Sequence, residues 1–133
     1  MQAFRAAIEA HDLDAVEALL AEDVVFTSPV VFKPYHGKAI TAAILRAVAD
    51  VFEDFRYERA IGEADGRDHA LVFRTRVGDR ELGGCDFLHL DEHGRIDELT
   101  VMVRPLSGAQ ALQAAMAAQF ERIAQEARAR SGD

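Results

Sequence analysis

Near residue 55 the apolar residues of this chain change their spacing, and that change limits the folds open to it. Before it, "KAITAAILRAVADVFEDF" (38–55) puts Ile40, Ile44, Val48, Val51, Phe52 and Phe55 on one helical stripe. After it, "HALVFRTRVG" (69–78) alternates, with Leu71, Phe73, Thr75 and Val77 on one face and Val72, Arg74 and Arg76 on the other. Helices come first and strands follow. Segregated elements of this kind predict an α+β fold with a mostly antiparallel sheet.

The remaining segments add two helices and a strand before the long helix, three more strands, and a helix after the last strand. "FRAAIEA" (4–10) spaces Phe4, Ala7 and Ile8 as a helix, and "HDLDAVEALLAED" (11–23) predicts a second, with Asp12 as N-cap and Leu13, Val16, Leu19 and Leu20 inward. "VVFTSPVVFKPYHG" (24–37) predicts a strand that breaks at Pro29 into an apolar loop. "FRYERAIGEA" (55–64) carries Phe55, Tyr57 and Ile61 into a turn at "DGRD". Gly78-Asp79 predicts a tight hairpin into "LGGCDFLHL" (82–90), and "DEHGR" turns the chain into "IDELTVMVRPL", which should stop at Pro105. Ser107 and Gln110 are spaced as a capping box for one last helix with the stripe Leu112, Met116, Phe120 and Ile123. Residues 1–133 read as a single domain, with 129–133 expected to fray.

Charge and cysteine content narrow the function classes. The net charge of −8 disfavours nucleic acid and anionic membranes as partners. No apolar run approaches a membrane span, and the amphipathic start does not read as a targeting segment. A lone cysteine, Cys85, permits no internal disulfide, and a cytoplasmic location is expected. No metal or cofactor is expected either. His89 and His93 lie across a turn rather than on one helix face, and the glycines at 83, 84, 94 and 108 match no phosphate-cradling loop. Ser28 lacks nucleophile-elbow glycines, and Cys85 reads as a half-buried hydrophobe.

One residue breaks the pattern. With a period of two, Leu82, Gly84, Asp86, Leu88 and Leu90 share a face, so Asp86 is expected on the apolar side of its strand, where an unpaired charge is costly.

The segments "LAEDVVFTSPVVFKPYHGKAI" and "CDFLHLDEHGRIDELTVMVRPLSG", in that order, resemble the SnoaL-like branch of the NTF2-like superfamily. That superfamily includes ketosteroid isomerases, polyketide cyclases and epoxide hydrolases. The resemblance implies a cone of curved sheet wrapped around helices, with an apolar pocket inside and a homodimer packed through the sheet. It also implies that Asp86 stands where ketosteroid isomerases hold a neutral Asp, five residues before the Asp of a "DEHG" turn. The base and the Tyr of those enzymes are replaced, by Ser28 and Phe4. Neither can do the missing work, so ketosteroid isomerase activity is not expected. An epoxide hydrolase of this fold would need a second inward carboxylate and an inward Arg, for which Arg59 is the nearest candidate.

Asp86 is therefore the candidate acid/base, facing a pocket expected from Phe4, Ile8, Phe26, Ser28, Phe32, Tyr35, Phe52, Tyr57, Leu71, Phe73, Leu88, Leu99 and Val101. A purely structural role, bonded to Ser28, Tyr35, Tyr57 or a buried water, is the competing expectation. The reading is a protein that binds a small hydrophobic oxygenated molecule, as an isomerase- or cyclase-like enzyme with Asp86 as acid/base; a non-catalytic carrier and a dimeric interaction module are the alternatives. Val72, Phe87, His89 and Met102 predict an apolar outer face suited to a homodimer. A one-residue slip in the last strand would exchange Met102 for Val101 there.

Overall fold

A computed structural model of the chain describes residues 1–131. Its elements run α1 (Gln2–Glu9), α2 (Leu13–Leu19), β1 (Leu20–Thr27), β2 (Tyr35–His36), α3 (Lys38–Val51), β3 (Glu53–Ile61), β4 (Asp68–Val77), β5 (Arg80–Leu90), β6 (Ile96–Arg104), α4 (Leu106–Ala118) and α5 (Phe120–Ser131). The six strands form one curved, open sheet in the order β2-β1-β6-β5-β4-β3. All neighbours are antiparallel except β1 and β6, which run parallel. This is the expected α+β cone, with helices against the concave face.

Local signals explain most boundaries. Asp12 caps α2 by accepting from the Ala15 N–H at 3.1 Å. Gly78 at φ 60° makes the hairpin that pairs Val77 with Arg80. β6 stops before Pro105, and α1 buries Phe4 and Ala7. Full burial of a side chain such as Phe4 contributes about 1.5–3 kcal/mol. Gly84 leaves room for a ring: a Cβ there would come within 2.5 Å of Phe73 Cζ and of the Met102 carbonyl.

Several helix limits differ from the sequence expectation because strand pairing wins at the ends. α2 stops at Leu19, and the fully buried Leu20 pairs with Ile96 instead. α3 stops at Val51, so Phe52 is extended and Phe55 joins β3, although the two rings still stack at 5.7 Å. The last helix is two helices, with a break at Gln119. Its first turn begins at Pro105, and Ser107 makes no cap. A register shift between Tyr57 and Arg59 turns Ile61 outward, to 52% exposure. α5 is helical through Ser131; of the segment 129–133 expected to fray, residues 132 and 133 lie outside the described residues.

The last strand does not slip. Val101 pairs with Asp86 on the concave face, and Met102 pairs with Cys85 on the convex one. Val72, Cys85 and Met102 thus line up across three strands beside Ala70, Phe87 and Thr100. Phe87 and Met102 are 42% and 59% exposed on this outer face.

Candidate functional site

The cavity of about 840 Å³ inside the cone is where the sheet's concave face meets the helices. β5 presents Asp86 to it. Across the neighbouring strands Asp86 is in register with Leu71 and Val101, so its surroundings on that face are apolar. Among the described residues its one side-chain partner is the Tyr57 hydroxyl, which donates to Asp86 Oδ2 at 2.7 Å. Tyr57 lies on β3, with β4 between it and Asp86, and two register shifts of β3 bracket it, Glu53/Arg56 and Tyr57/Arg59. Phe55 and Phe73 hold its ring edge-on, with centroids at 4.9 and 6.4 Å. The Arg5 guanidinium sits 5.9 Å from the ring centroid.

Burial controls both acid groups. Asp86 is only 8% exposed, and desolvation pushes its carboxyl up to about 7, against the smaller opposing pull of the Tyr57 hydrogen bond. Desolvation also pushes the Tyr57 phenol far above its ordinary range, helped by the charge of Asp86 and the bond to it. Tyr57 therefore stays a donor while Asp86 gains and loses a proton near neutrality. Protonated, Asp86 can donate to a ligand oxygen; ionised, it can take a proton.

Most of the expected lining is present. Phe4, Ile8, Phe26, Ser28, Tyr35, Phe52, Tyr57, Asp86, Leu99 and Val101 all border the cavity. Phe32, Leu71, Phe73 and Leu88 do not. Phe32 is 97% exposed in the β1–β2 loop, because Pro29 and Pro34 take that segment out of the sheet. The other three are sealed in the core; the Phe73 ring, for example, is covered by Phe55 at 5.0 Å and Phe52 at 5.8 Å. Ser28 is occupied locally, its Oγ accepting from the N–H groups of Val30 (3.3 Å) and Val31 (2.9 Å). Arg59 is exposed opposite Val72 and does not border the cavity.

The sequence reading missed the rim and the far wall. Glu9, His11 and Asp54 border the cavity, as do Leu112, Gln113, Met116, Phe120 and Ile123 from α4 and α5. The helical stripe had singled out the apolar ones as core; nothing local announced that the helix breaks at Gln119 and bends over the cone. Among the described residues one group has metal-ligand proximity: His89, Asp97 and Glu98. It stands at the β5–β6 register shift near His89, whose ring pairs with Asp97 at 2.7 Å. An ion pair accounts for it.

The raised Asp86 carboxyl has a consequence for folding. The folded state holds a proton between about pH 4 and 7 that the unfolded chain has released, so this group makes stability fall as pH rises through that window. Asp86→Asn should remove a slope of about 1.4 kcal/mol per pH unit from the wild-type curve across it, measured by urea unfolding at several pH values. Parallel curves for the two proteins would contradict the assignment.

Known proteins share this fold. The SnoaL-like domain matches residues 1–99. A steroid delta-isomerase structure from Pseudomonas aeruginosa is 44% identical over 90% of this chain and 87% of its own, with a TM-score of 0.84. An uncharacterised protein with a cystatin-like fold from Silicibacter pomeroyi is 36% identical over 94% and 89%, with a TM-score of 0.87. A putative polyketide cyclase from Pseudomonas putida shares the fold at 23% identity over 80% and 90%, with a TM-score of 0.63. No match is found among curated proteins. With a concave sheet packed against helices and a domain match over most of its length, the chain belongs to the SnoaL-like family of the NTF2-like fold.

Proposed function

We propose that this protein binds a small hydrophobic oxygenated molecule inside the cone, with the ligand's oxygen against Asp86. The observation that carries the reading is the buried Tyr57–Asp86 pair on the wall of a largely apolar cavity. A carboxyl with one partner and a free oxygen is suited to donate to a carbonyl or hydroxyl, and its titration near neutrality suits acid/base work. As an enzyme the protein would shift or transfer a proton on its ligand, in isomerisation or cyclisation, with Asp86 as acid/base and Tyr57 holding it.

The steroid delta-isomerase among its relatives raises the question of that reaction here. The base position argues against it, since Ser28 is a hydroxyl engaged in its own turn and Phe4 has no donor. That observation favours a second reading, a ligand carrier without turnover. We also infer a homodimer through the outer sheet face, supported by the exposed Phe87 and Met102 beside Val72. The single Cys85 fits a cytoplasmic location.

Native mass spectrometry with a panel of hydrophobic ketones tests the binding. Bound ketone is expected, weakened about tenfold by Asp86→Leu, from the usual worth of a hydrogen bond to a charged or polar group. No bound ketone across the panel would sink the proposal. Turnover of a Δ5-3-ketosteroid should lie at least about 10³-fold below that of a competent isomerase. A rate within tenfold would instead make Glu9 or Asp54, the other carboxylates at the cavity, the base. Light scattering should give twice the 14.6 kDa chain mass, and Phe87→Glu with Met102→Glu should halve it. A wild-type monomer at micromolar concentration would contradict the dimer.

A further inference from the structure

The charges around the cavity are one-sided. Its carboxylates are Glu9, Asp54 and Asp86, with His11 beside them, and no Lys or Arg of the described residues lines it. Arginines do reach the two outer carboxylates, but from outside the lining: Arg5 Nε lies 3.4 Å from Glu9, and Arg76 Nη2 lies 3.0 Å from Asp54. Arg76 is shared between Asp54 and Glu53, and Arg56 Nη1 donates to the Asp54 backbone carbonyl at 3.2 Å.

Two of these rim residues also have unusual backbones. His11 (φ 56°) and Asp54 (φ 53°) are the non-glycine residues at positive φ among the described residues. His11 follows the end of α1, where its N–H bonds to the Ile8 carbonyl and the Asp12 N–H to that of Ala7, a place glycine usually fills. Asp54 falls within the β3–β4 register shift. Side-chain-bearing residues held at such positions concentrate at functional sites, and here both border the same cavity.

We infer that the cavity selects its ligand by charge, admitting neutral or cationic molecules and rejecting carboxylates and phosphates, with Glu9 and Asp54 as the specificity-determining residues. The inference rests on the binding reading above. An anion entering would lose its water and find no cation in the lining to replace it. It would also meet the carboxylates of Glu9 and Asp54 at the rim. A neutral ketone or alcohol meets neither obstacle, and Asp86 with Tyr57 supplies its polar contact.

A matched trio of fluorescent probes tests this: 1-pyrenemethanol, 1-pyrenemethylammonium and 1-pyrenecarboxylate, titrated into the wild-type protein and the Glu9→Gln/Asp54→Asn double variant. In the wild type the alcohol and the ammonium should bind, and the carboxylate at least about tenfold more weakly than the alcohol. That gap should narrow at least about threefold in the double variant, and should also narrow in high salt for the wild type, a readout that needs no substitution. A carboxylate that binds as well as the alcohol overturns the inference. A gap unchanged in the folded double variant takes the role away from Glu9 and Asp54. If none of the three binds, the binding reading fails and this inference falls with it.

Discussion

A hydrogen bond that reaches across a strand organises this molecule. Tyr57 is on β3 and Asp86 on β5, with β4 between them, and their oxygens are 2.7 Å apart. Strands two apart in a sheet are separated by about 9–10 Å, too far for short side chains to meet. The contact needs a concave sheet, a long side chain and a local distortion that aims it, and the register shifts on both sides of Tyr57 supply the last. Without the phenol, Asp86 would face Leu71 and Val101 with no side-chain partner. Tertiary shape and site chemistry therefore depend on one another: curvature makes the bond, and the bond makes a carboxyl tolerable on an apolar wall.

The rest of the fold encloses that pair. α1 lays Phe4 and Ile8 along the cavity, α3 contributes Leu45 and Val48, and the break at Gln119 lets α5 turn Ile123 back toward them. The convex face of the same sheet has the opposite character, with Phe87 and Met102 in the open. Period-two alternation thus gives β5 two different sides, a carboxyl facing the cavity and exposed apolar residues on the outer face.

How far this could be read from residues alone varied with the kind of signal. The face of Asp86 was legible because alternation in "LGGCDFLHL" is strict and β4 and β6 pair with it without slipping until His89. The change of period near residue 55 disclosed the fold class for the same reason. Helix ends were less legible: Leu20 and Phe55 satisfy a helical stripe, yet each has a better partner in the sheet, and only the tertiary pairing decides. Leu71, Phe73 and Leu88 were on the correct face but beneath other side chains, since a face says nothing about what covers it. His11 and Asp54 had no signature at all, because positive φ at a non-glycine residue is imposed by surroundings rather than announced by composition. Glu9 lies outside the helical stripe of Phe4, Ala7 and Ile8, so periodicity did not mark it.

The central claim is that Asp86 is a buried carboxyl that titrates near neutrality, and an NMR titration of its side-chain carboxyl carbon addresses it directly. The expected midpoint is about 7, displaced upward by burial. A midpoint at or below about 4 would mean a solvated or ion-paired carboxylate, and the acid/base role assigned to Asp86 would be wrong.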